Sequence, residues 1–449
     1  MANLKPFQLI VIGVCMFLGI IGVMVFAFGG GKRDPTKDYG PKVIVWGTAD
    51  AAAVNSVISD INGPNGSTIN AGYVKKPADT FNQDVLEALA QGKGPDVVLI
   101  PLEDVLSYQD KISTIPFSSV SERTFKDSFI SEGELVQTRA GFLALPFSID
   151  PLIMYWNRDI FTAKRQASPP ADWSTLLSMV PKLSDISSNL TVKQSAVSLG
   201  DYRNINHAKE ILAALFFQTG NPIAVLSFDI QTNRENLKSA LDDRIEGAIV
   251  SPSEAVLSFY TQFANPVSKE YTWNRSLPNS LDAFVAGDLA IYFGFGSEAS
   301  IIRTKNPNLD FDTALFPQQK DVHTPVTYGK LSVLAILSSS KNQTGALKAV
   351  ISMTGTDFLK RYQSLSNLPP VRRDLLVNVP TDSLSPILYK STFYSKGWLD
   401  PQPQNTSSIF QTMVESSLAG NAVTSDVIQT FMKQFNLVID QYNQKIQNN

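Results

Sequence analysis

Three acidic side chains stand beside short apolar runs, at positions where carboxylates can bind polar ligands. Glu103 and Asp104 follow the run Val97–Ile100, and Asp150 directly precedes a proline. Open α/β sheets hold ligands beyond the carboxyl ends of their strands, so these acids are candidate acceptors for hydroxyl groups. A structural role stays open for each, because acids are common on exposed loops and an Asp before a proline can cap a turn.

Large aromatic side chains and their polar neighbours form a second set of candidates. Flat apolar rings bind the C–H faces of sugars, while amides and arginines bind hydroxyl groups. These candidates are Trp46, Tyr202, Arg203, Trp273 and Trp398. Core packing is the alternative for the tryptophans, and a surface turn is the alternative for Tyr202 and Arg203.

A glycine-rich segment, Gly294–Glu298, follows a predicted strand and opens a predicted helix. Glycines allow close backbone approach, and the free N–H groups of a helix start point at acceptors. Phe295 and Glu298 are therefore candidate ligand-lining residues. A phosphate loop is disfavoured because the Lys-Ser/Thr pair of a P-loop is missing.

The sequence lacks the common catalytic and metal-binding motifs. GxSxG, GxGxxG and HExxH do not occur, and His207 and His323 are the only histidines, with no visible partner. The single cysteine, Cys15, lies in an apolar N-terminal segment. We therefore expect no enzyme activity, no metal and no cofactor. A glycoside hydrolase needs only two carboxylates, so that less favoured alternative stays open.

The pattern of elements predicts an α/β architecture, and 449 residues suffice for two or three domains. Two apolar strands, Val43–Trp46 and Pro95–Ile100, flank a helix that a capping box at Thr80 would open. Phe142–Asn157 is predicted as two strands joined through Ser148–Pro151. A net charge of -3, without a basic run, gives no support for a nucleic-acid partner.

The N-terminal segment Leu9–Phe28 contains no charged residue. At about 1.5 Å per residue it reaches about 30 Å, the thickness of a bilayer core. We expect a single-pass anchor rather than a cleaved signal, after a short cytoplasmic segment (1–8) and before a flexible stalk (29–41). Flanking charge opposes this orientation, because Lys32, Arg33 and Lys37 follow the span and only Lys5 precedes it.

Four segments, in order, resemble extracellular solute-binding proteins of family 1, the maltose-binding type that serves ATP-binding-cassette importers. The first two are Gly94–Val98 and LPFSIDPLIMYWNRDIF at Leu145–Phe161. The other two are AFVAGDLA at Ala283–Ala290, continued by IYFGFGSEA to Ala299, and Gly329–Val350. In their order and spacing, the resemblance spans about residues 42–447.

The resemblance implies a type II periplasmic-binding-protein fold with two α/β lobes and a ligand cleft between them. The first lobe would comprise 42–149 with about 334–376, and the second 150–328 with about 385–449. Crossings are expected near Ile149–Leu152, Tyr328–Leu334 and Val377–Leu384. In such relatives an acidic ligand contact often occupies the place of Asp150, and a sugar-stacking aromatic lies in the region of Trp398.

The function that this resemblance implies is capture of a sugar, or another small polar ligand, by hinge closure. The protein would be a membrane-anchored, extracytoplasmic monomer that delivers its ligand to permease subunits of an importer. A ligand-sensing or adhesive ectodomain of the same fold is the main alternative. The acidic and aromatic candidates suit an uncharged or a cationic polyhydroxylated ligand.

Overall fold

The computed structural model describes residues 41–61, 70–229, 234–241, 250–321 and 324–447. The predicted anchor, its stalk up to residue 40 and His323 lie outside the described residues. In the part of the chain that the structure does describe, no helix is both long and apolar enough to cross a bilayer.

The strands of the described residues are mostly short. They are β1 (Val43–Gly47), β2 (Ala71–Lys75), β3 (Val97–Pro101), β4 (Ile115–Pro116), β5 (Gln137–Thr138), β6 (Gly141–Phe142), β7 (Leu145–Asn157), β8 (Asp185–Ile186), β9 (Val192–Val197), β10 (Ala224–Asp229), β11 (Arg234–Ser239), β12 (Leu289–Phe295), β13 (Phe311–Ala314), β14 (Thr327–Ile336) and β15 (Ser395–Lys396).

The α-helices alternate with these strands. They are α1 (Ala51–Ile61), α2 (Phe81–Ala90), α3 (Glu122–Ser128), α4 (Arg158–Ala163), α5 (Trp173–Leu183), α6 (Ala208–Gln218), α7 (Pro252–Thr261), α8 (Ser280–Ala286), α9 (Glu298–Lys305), α10 (Gln343–Met353), α11 (Thr356–Ser366), α12 (Ser385–Tyr394), α13 (Pro403–Leu418) and α14 (Thr424–Gln447). Short 3₁₀ segments cover Leu102–Lys111, Ser131–Val136 and Gln262–Ala264.

A ten-stranded sheet organises the chain, with the order β2-β1-β3-β14-β7-β12-β9-β8. Strand β13 also pairs with β7, and β15 pairs with β14. Strand β1 lies parallel to both β2 and β3, and α1 and α2 make the crossovers. The predicted strands and helix form where expected, and β1 lies parallel to β3, but the prediction missed α1 and β2, which come between β1 and α2.

Two strands, β7 and β14, join the two halves of this sheet. Strand β7 pairs with β14 from Leu145 to Pro151 and with β12 from Leu152 to Trp156. Strand β14 continues past Ser332 along β3. We call β7 and β14 the hinge strands. They connect a first lobe, built around β1–β3, to a second lobe, built around β8, β9 and β12.

Two predictions about the crossings are wrong in detail. The segment predicted as two strands is one strand of 13 residues from Leu145, with a preceding two-residue strand at Gly141–Phe142. Pro151 does not interrupt it, because its carbonyl still accepts a hydrogen bond from the Gly296 N–H. The third predicted crossing, Val377–Leu384, contains no strand; it is irregular chain ahead of α12.

Helix starts follow ordinary capping chemistry at several sites, but not at the predicted capping box. Asp172 caps α5 by accepting a hydrogen bond from the Thr175 N–H at 2.8 Å. Thr80 makes no side-chain cap at α2, and Gln83 donates instead to Glu87 one turn later. The predicted capping box is therefore wrong, although the helix forms where it was expected.

The C-terminal helix α14 confirms the predicted amphipathic pattern. Its residues at three- and four-residue spacing all turn inward and are buried. They are Val427, Phe431, Phe435, Val438 and Tyr442. The far end of α14 also contacts the first lobe, because the Tyr442 hydroxyl donates to Gln109.

A second contact between the lobes involves two hairpins. The Arg139 N–H, between β5 and β6, donates to Glu235 Oε1 at 2.9 Å. The Arg139 guanidinium also lies 4.0 Å from the ring centroid of Phe228 on β10. The lobes therefore touch through α14 and through the β10–β11 hairpin.

Candidate functional site

A recess of about 550 Å³ opens between the two lobes. We call it the central recess. The first lobe contributes Glu103, which follows β3 as predicted. The second lobe contributes the chain before α6, the first residues of that helix and the start of α13: Tyr202, Ile205, His207, Ala208, Lys209, Glu210, Pro403, Gln404 and Ser407.

Lys330 and Asp150 are register partners on the hinge strands. Lys330 is exposed, and its ammonium lies 5.8 Å from the ring centroid of Phe295. Asp150 Oδ1 accepts a hydrogen bond from the Ser297 N–H at 3.1 Å. Burial raises the pKa of Asp150 to about 6, although Ser297 and Lys330 act in the opposite direction. The hinge therefore carries one ammonium beside a carboxyl that titrates near pH 6.

Glu103 and Asp104 place two more carboxyl groups within the field of Lys330. Burial, reinforced by the negative charge of Glu210, raises the pKa of Glu103 to about 7. Burial, reinforced by Asp400, raises the pKa of Asp104 to about 6. Lys209 and Lys330 lower both pKa values but do not cancel the desolvation.

Lys209 and Asp400 form an ion pair buried in the second lobe. Their Nζ–Oδ2 distance is 2.6 Å, and the Asp400 side chain is fully buried. Lys209 also donates to the Thr406 hydroxyl at 2.9 Å, and Thr406 donates to Asp400 at 2.6 Å. The charge of Lys209 is thus neutralised inside the lobe.

His207 does have a partner, contrary to the expectation from sequence. Its Nε2 lies 3.0 Å from Glu298 Oε1, and the other oxygen of Glu298 accepts from the Tyr292 hydroxyl at 3.0 Å and from the Phe295 N–H at 2.9 Å. Burial would lower the pKa of His207, but the hydrogen bond and charge of Glu298, together with Glu210, raise it above its usual value. Glu298 therefore holds a recess residue in place instead of facing the ligand itself.

The segment Gly294–Glu298 was predicted to offer free N–H groups to a ligand, and the structure differs on this point. The N–H groups of Phe295 and Ser297 donate to the carboxylates of Glu298 and Asp150. They are therefore already occupied by protein acceptors. Phe295 itself is buried, with its ring 4.7 Å from that of His207, so it supports the wall of the recess from behind.

Four of the predicted residues share one region of the structure. Glu103 and Tyr202 line the central recess, and the charge of Lys330 lowers the pKa of both Asp104 and Asp150. The Tyr202 hydroxyl makes a 2.8 Å hydrogen bond with the hydroxyl of Ser407, another lining residue.

The other predicted residues lie elsewhere. Trp273 is 0% exposed, and its indole N–H donates to Asn204 at 3.0 Å, so it belongs to the core. Trp398 is 2% exposed and packs on Phe435, and no open ring face is left for stacking a sugar.

Arg203 and Trp46 are each engaged by a neighbour. Arg203 forms a two-point ion pair with Glu415 of α13, with one contact at 3.0 Å. Trp46 is half-buried, and the ammonium of Lys76 lies 3.9 Å above its ring.

Sequence reasoning missed the charged residues that complete the recess. Lys330 is the single charged residue of β14, and Lys209 with Glu210 begins a helix that is otherwise almost entirely apolar. Charged residues at such places are rare unless they are paired or functional. Their rarity could have identified these three residues from the sequence.

A second cavity, the side groove, lies next to Asp150. It has a volume of about 690 Å³ and begins at Gly296 and Ser297. Its walls are the start of α9, the end of α11 and the irregular chain leading to α12. Within the described ranges, no group of three or more His, Cys, Asp or Glu side chains is placed to hold a metal ion.

Two lobes, two hinge strands and a polar recess between the lobes define the class of two-lobed α/β binding proteins. The model of the family described as "Bacterial extracellular solute-binding protein" matches residues 56–382. The chain belongs to this family, which is a family of binding proteins. A comparison of this chain with curated protein sequences found no match.

Solved structures share the fold at low sequence identity. A solute-binding protein of an ATP-binding-cassette transporter from Thermotoga lettingae, bound with alpha-D-tagatose, has 19% identity and a TM-score of 0.64, and the match covers 89% of this chain and 100% of that chain. The cyclic alpha-maltosyl-1,6-maltose binding protein from Arthrobacter globiformis has 15% identity and a TM-score of 0.71, with 89% and 99% covered. The sugar-binding protein MalE from Xanthomonas citri has 15% identity and a TM-score of 0.70, with 91% and 100% covered.

Proposed function

We propose that this protein captures a sugar or a related small polyhydroxylated molecule between its lobes and delivers it to an ATP-binding-cassette importer. The observation that carries the proposal is the central recess, which both lobes line with hydrogen-bonding side chains. Glu103 comes from the first lobe, and Tyr202, Glu210, Gln404 and Ser407 come from the second. A ligand that contacts both sets of groups stabilises the closed arrangement of the lobes.

The chemistry of the recess suits a polyhydroxylated ligand. Carboxylates accept hydrogen bonds from hydroxyl groups, and the Gln404 side chain can both donate to them and accept from them. The Tyr202 ring offers an apolar face. Of the three structural neighbours, one is bound with alpha-D-tagatose, one is a cyclic alpha-maltosyl-1,6-maltose binding protein and one is a sugar-binding protein. These ligands support the sugar class without selecting one sugar.

The remaining parts of the proposal concern location and lobe boundaries. The apolar segment Leu9–Phe28 would anchor the protein, with residues 42–449 outside the cytoplasm as a monomer that meets permease subunits. The lobes would divide at residues 149/150 and between 328 and 334. The hinge pairing of Asp150 with Lys330 supports these positions.

Thermal-shift screening of the full chain in mild detergent, against a panel of neutral, amino and acidic mono- and oligosaccharides, tests the proposal. A ligand that binds only the folded protein raises the midpoint by mass action. Gln404→Ala, in the lining of the central recess, should weaken binding of that ligand by about two- to tenfold, because a hydrogen bond contributes about 0.5–1.5 kcal/mol. Gln429→Ala, on the exposed surface of α14, is the matched control and should leave the shift unchanged.

Two results would contradict this proposal. One is a panel in which no member, neutral or charged, raises the midpoint of the wild type. The other is hydrolysis of a panel sugar by the purified protein, which would favour the glycoside hydrolase alternative.

A further inference from the structure

Negative charge is in excess in and around the central recess once the internal pairs are removed. Lys209 is neutralised by Asp400, and His207 by Glu298. The remaining charged groups that act on one another are four carboxyls and one ammonium. They are Glu103, Asp104, Asp150, Glu210 and Lys330.

Glu103 and Glu210 oppose each other from different lobes. Both line the central recess, and Glu210 is the strongest charge acting on Glu103. No described residue donates a hydrogen bond to either carboxylate. Two like charges that approach when the lobes come together oppose closure of the empty protein. A cation placed between them reverses that effect.

We infer that the ligand carries a protonated amine, which binds between Glu103 of the first lobe and Glu210 of the second. The inference rests on the proposed function and narrows its ligand class to an amino sugar or another polyhydroxylated amine. The ammonium contributes a contact to each lobe, so binding and closure are coupled through one charged group. The hydroxyl groups of such a ligand are left to Tyr202, Gln404 and Ser407.

Other ligand charges fit this arrangement less well. An anion would meet four carboxyls with a single free ammonium, Lys330, to offset them. A bare metal ion would need a denser group of ligating side chains than the described residues provide. A neutral sugar gives the opposing carboxylates no countercharge and would leave their repulsion in place.

The pH dependence of binding follows from the groups that face Glu103. These are Glu210 and Lys209 on α6, Lys330 on β14 and Asp104 on its own segment. With a pKa of about 7, Glu103 is partly protonated at neutral pH, and an ammonium beside it favours the ionised form. Affinity for an amine therefore rises from pH 6 to pH 8, and binding releases a proton, provided that the amine itself stays protonated.

The first experiment needs no ligand. Glu103→Gln and Glu210→Gln each remove one of the opposing charges while keeping side-chain volume. Small-angle scattering of the full chain in detergent, at pH 8 and low salt, should give a smaller radius of gyration for each variant than for the wild type. Glu87→Gln, on the exposed side of α2, is the control. Identical radii for all four proteins would contradict the repulsion on which the inference depends.

The second experiment uses matched ligands: chitosan oligosaccharides of two to four sugars, and the same oligosaccharides fully N-acetylated. Calorimetry at pH 6, 7 and 8, in two buffers of different ionisation enthalpy, reports affinity and proton release. We expect the amines to bind at least tenfold more tightly than the acetylated sugars, and Glu103→Gln and Glu210→Gln to remove that preference.

The outcomes separate the two proposals. Equal binding of the two series, or binding of the acetylated series alone, overturns the inference and leaves the proposed sugar-binding function standing. No response to any amine overturns the inference regardless of how neutral sugars behave. An amine preference that survives in both Gln variants also overturns the inference, because other residues would then bind the ammonium group of the ligand.

Discussion

Lys330 and Asp150 lie opposite each other on the two antiparallel hinge strands, β14 and β7. The pairing places an ammonium and a carboxyl on the part of the sheet that both lobes share. The charge of Lys330 also acts on Glu103 and Asp104 of the first lobe. One lysine therefore links the hinge to the acidic wall of the recess.

Replacing this lysine should make stability depend on pH in a defined direction. The pKa values of Glu103, Asp104 and Asp150 are about 7, 6 and 6, so these carboxyls are ionised at pH 8 and largely protonated at pH 5. Lys330→Met should cost about 1 kcal/mol at pH 8, on the scale of a solvent-exposed ion pair, and less at pH 5.

Urea unfolding at both pH values measures this difference. Lys348→Met is a suitable control, because Lys348 is exposed on α10. An equal loss at pH 5 and pH 8 for Lys330→Met would show that its charge does not stabilise the carboxylates.

The buried pair Lys209–Asp400 should behave as a unit. Lys209→Met leaves a fully buried carboxyl without its countercharge, which typically costs about 3–5 kcal/mol. The double variant Lys209→Met/Asp400→Asn removes both charges and should recover a large part of that loss. Denaturant unfolding of the two single variants and the double variant tests this. Additive losses would mean that the two side chains do not interact.

The main elements of the fold could be predicted from local sequence patterns. Strand β1 is a short apolar run, and helices α5 and α14 repeat their apolar residues about every 3.6 positions. Such patterns need no knowledge of distant contacts. The continuity of β7 could not be predicted, because it depends on pairing with β14 and β12, which lie more than 100 residues away in the chain. Pro151 suggested a break that this pairing overrides.

The candidate site was only partly predictable for a similar reason. Glu103 follows a strand, and that position alone suggested a recess residue. The packing of α6 against the chain around α13 creates the Lys209–Asp400 ion pair and places Glu210 in the recess. No local sequence pattern shows this packing. Trp273 and Trp398 were predicted as ligand contacts from residue type, but their rings are buried in the core.

The burial of Trp398 leads to a prediction that separates packing from ligand binding. Trp398→Ala removes a large, fully buried side chain and should lower the free energy of unfolding by about 3–5 kcal/mol. Trp46→Ala, at a half-buried position, should cost clearly less. Thermal or denaturant unfolding of both variants without ligand tests this. A small loss for Trp398→Ala would point to a ring that is free to leave the core and contact a ligand.

Glu132 has the most unusual environment among the described acids. It lies in a 3₁₀ segment of the first lobe, and its carboxyl fills the space left by Gly329 of β14 and by Gly397. Both oxygens are buried and accept no hydrogen bond from the described residues. Burial raises the pKa of Glu132 well above its usual value, and the nearby charge of Lys396 only partly opposes this.

This environment predicts that stability falls as pH rises. Between the usual glutamate pKa of about 4.3 and the raised value, the folded protein binds more protons at Glu132 than the unfolded chain, so increasing pH favours unfolding. Glu132→Gln has no proton to lose, so it should be more stable than the wild type at pH 8, by about 1–3 kcal/mol, with a smaller difference near pH 5. Glu134→Gln, two residues along the same 3₁₀ segment and only partly buried, should show no such pH-dependent gain. Unfolding free energies measured from pH 5 to pH 8 test this prediction. If the wild-type and Glu132→Gln curves run parallel, Glu132 is ionised in the folded protein throughout this range, and its carboxylate must be stabilised by a hydrogen-bonding partner such as a buried water molecule.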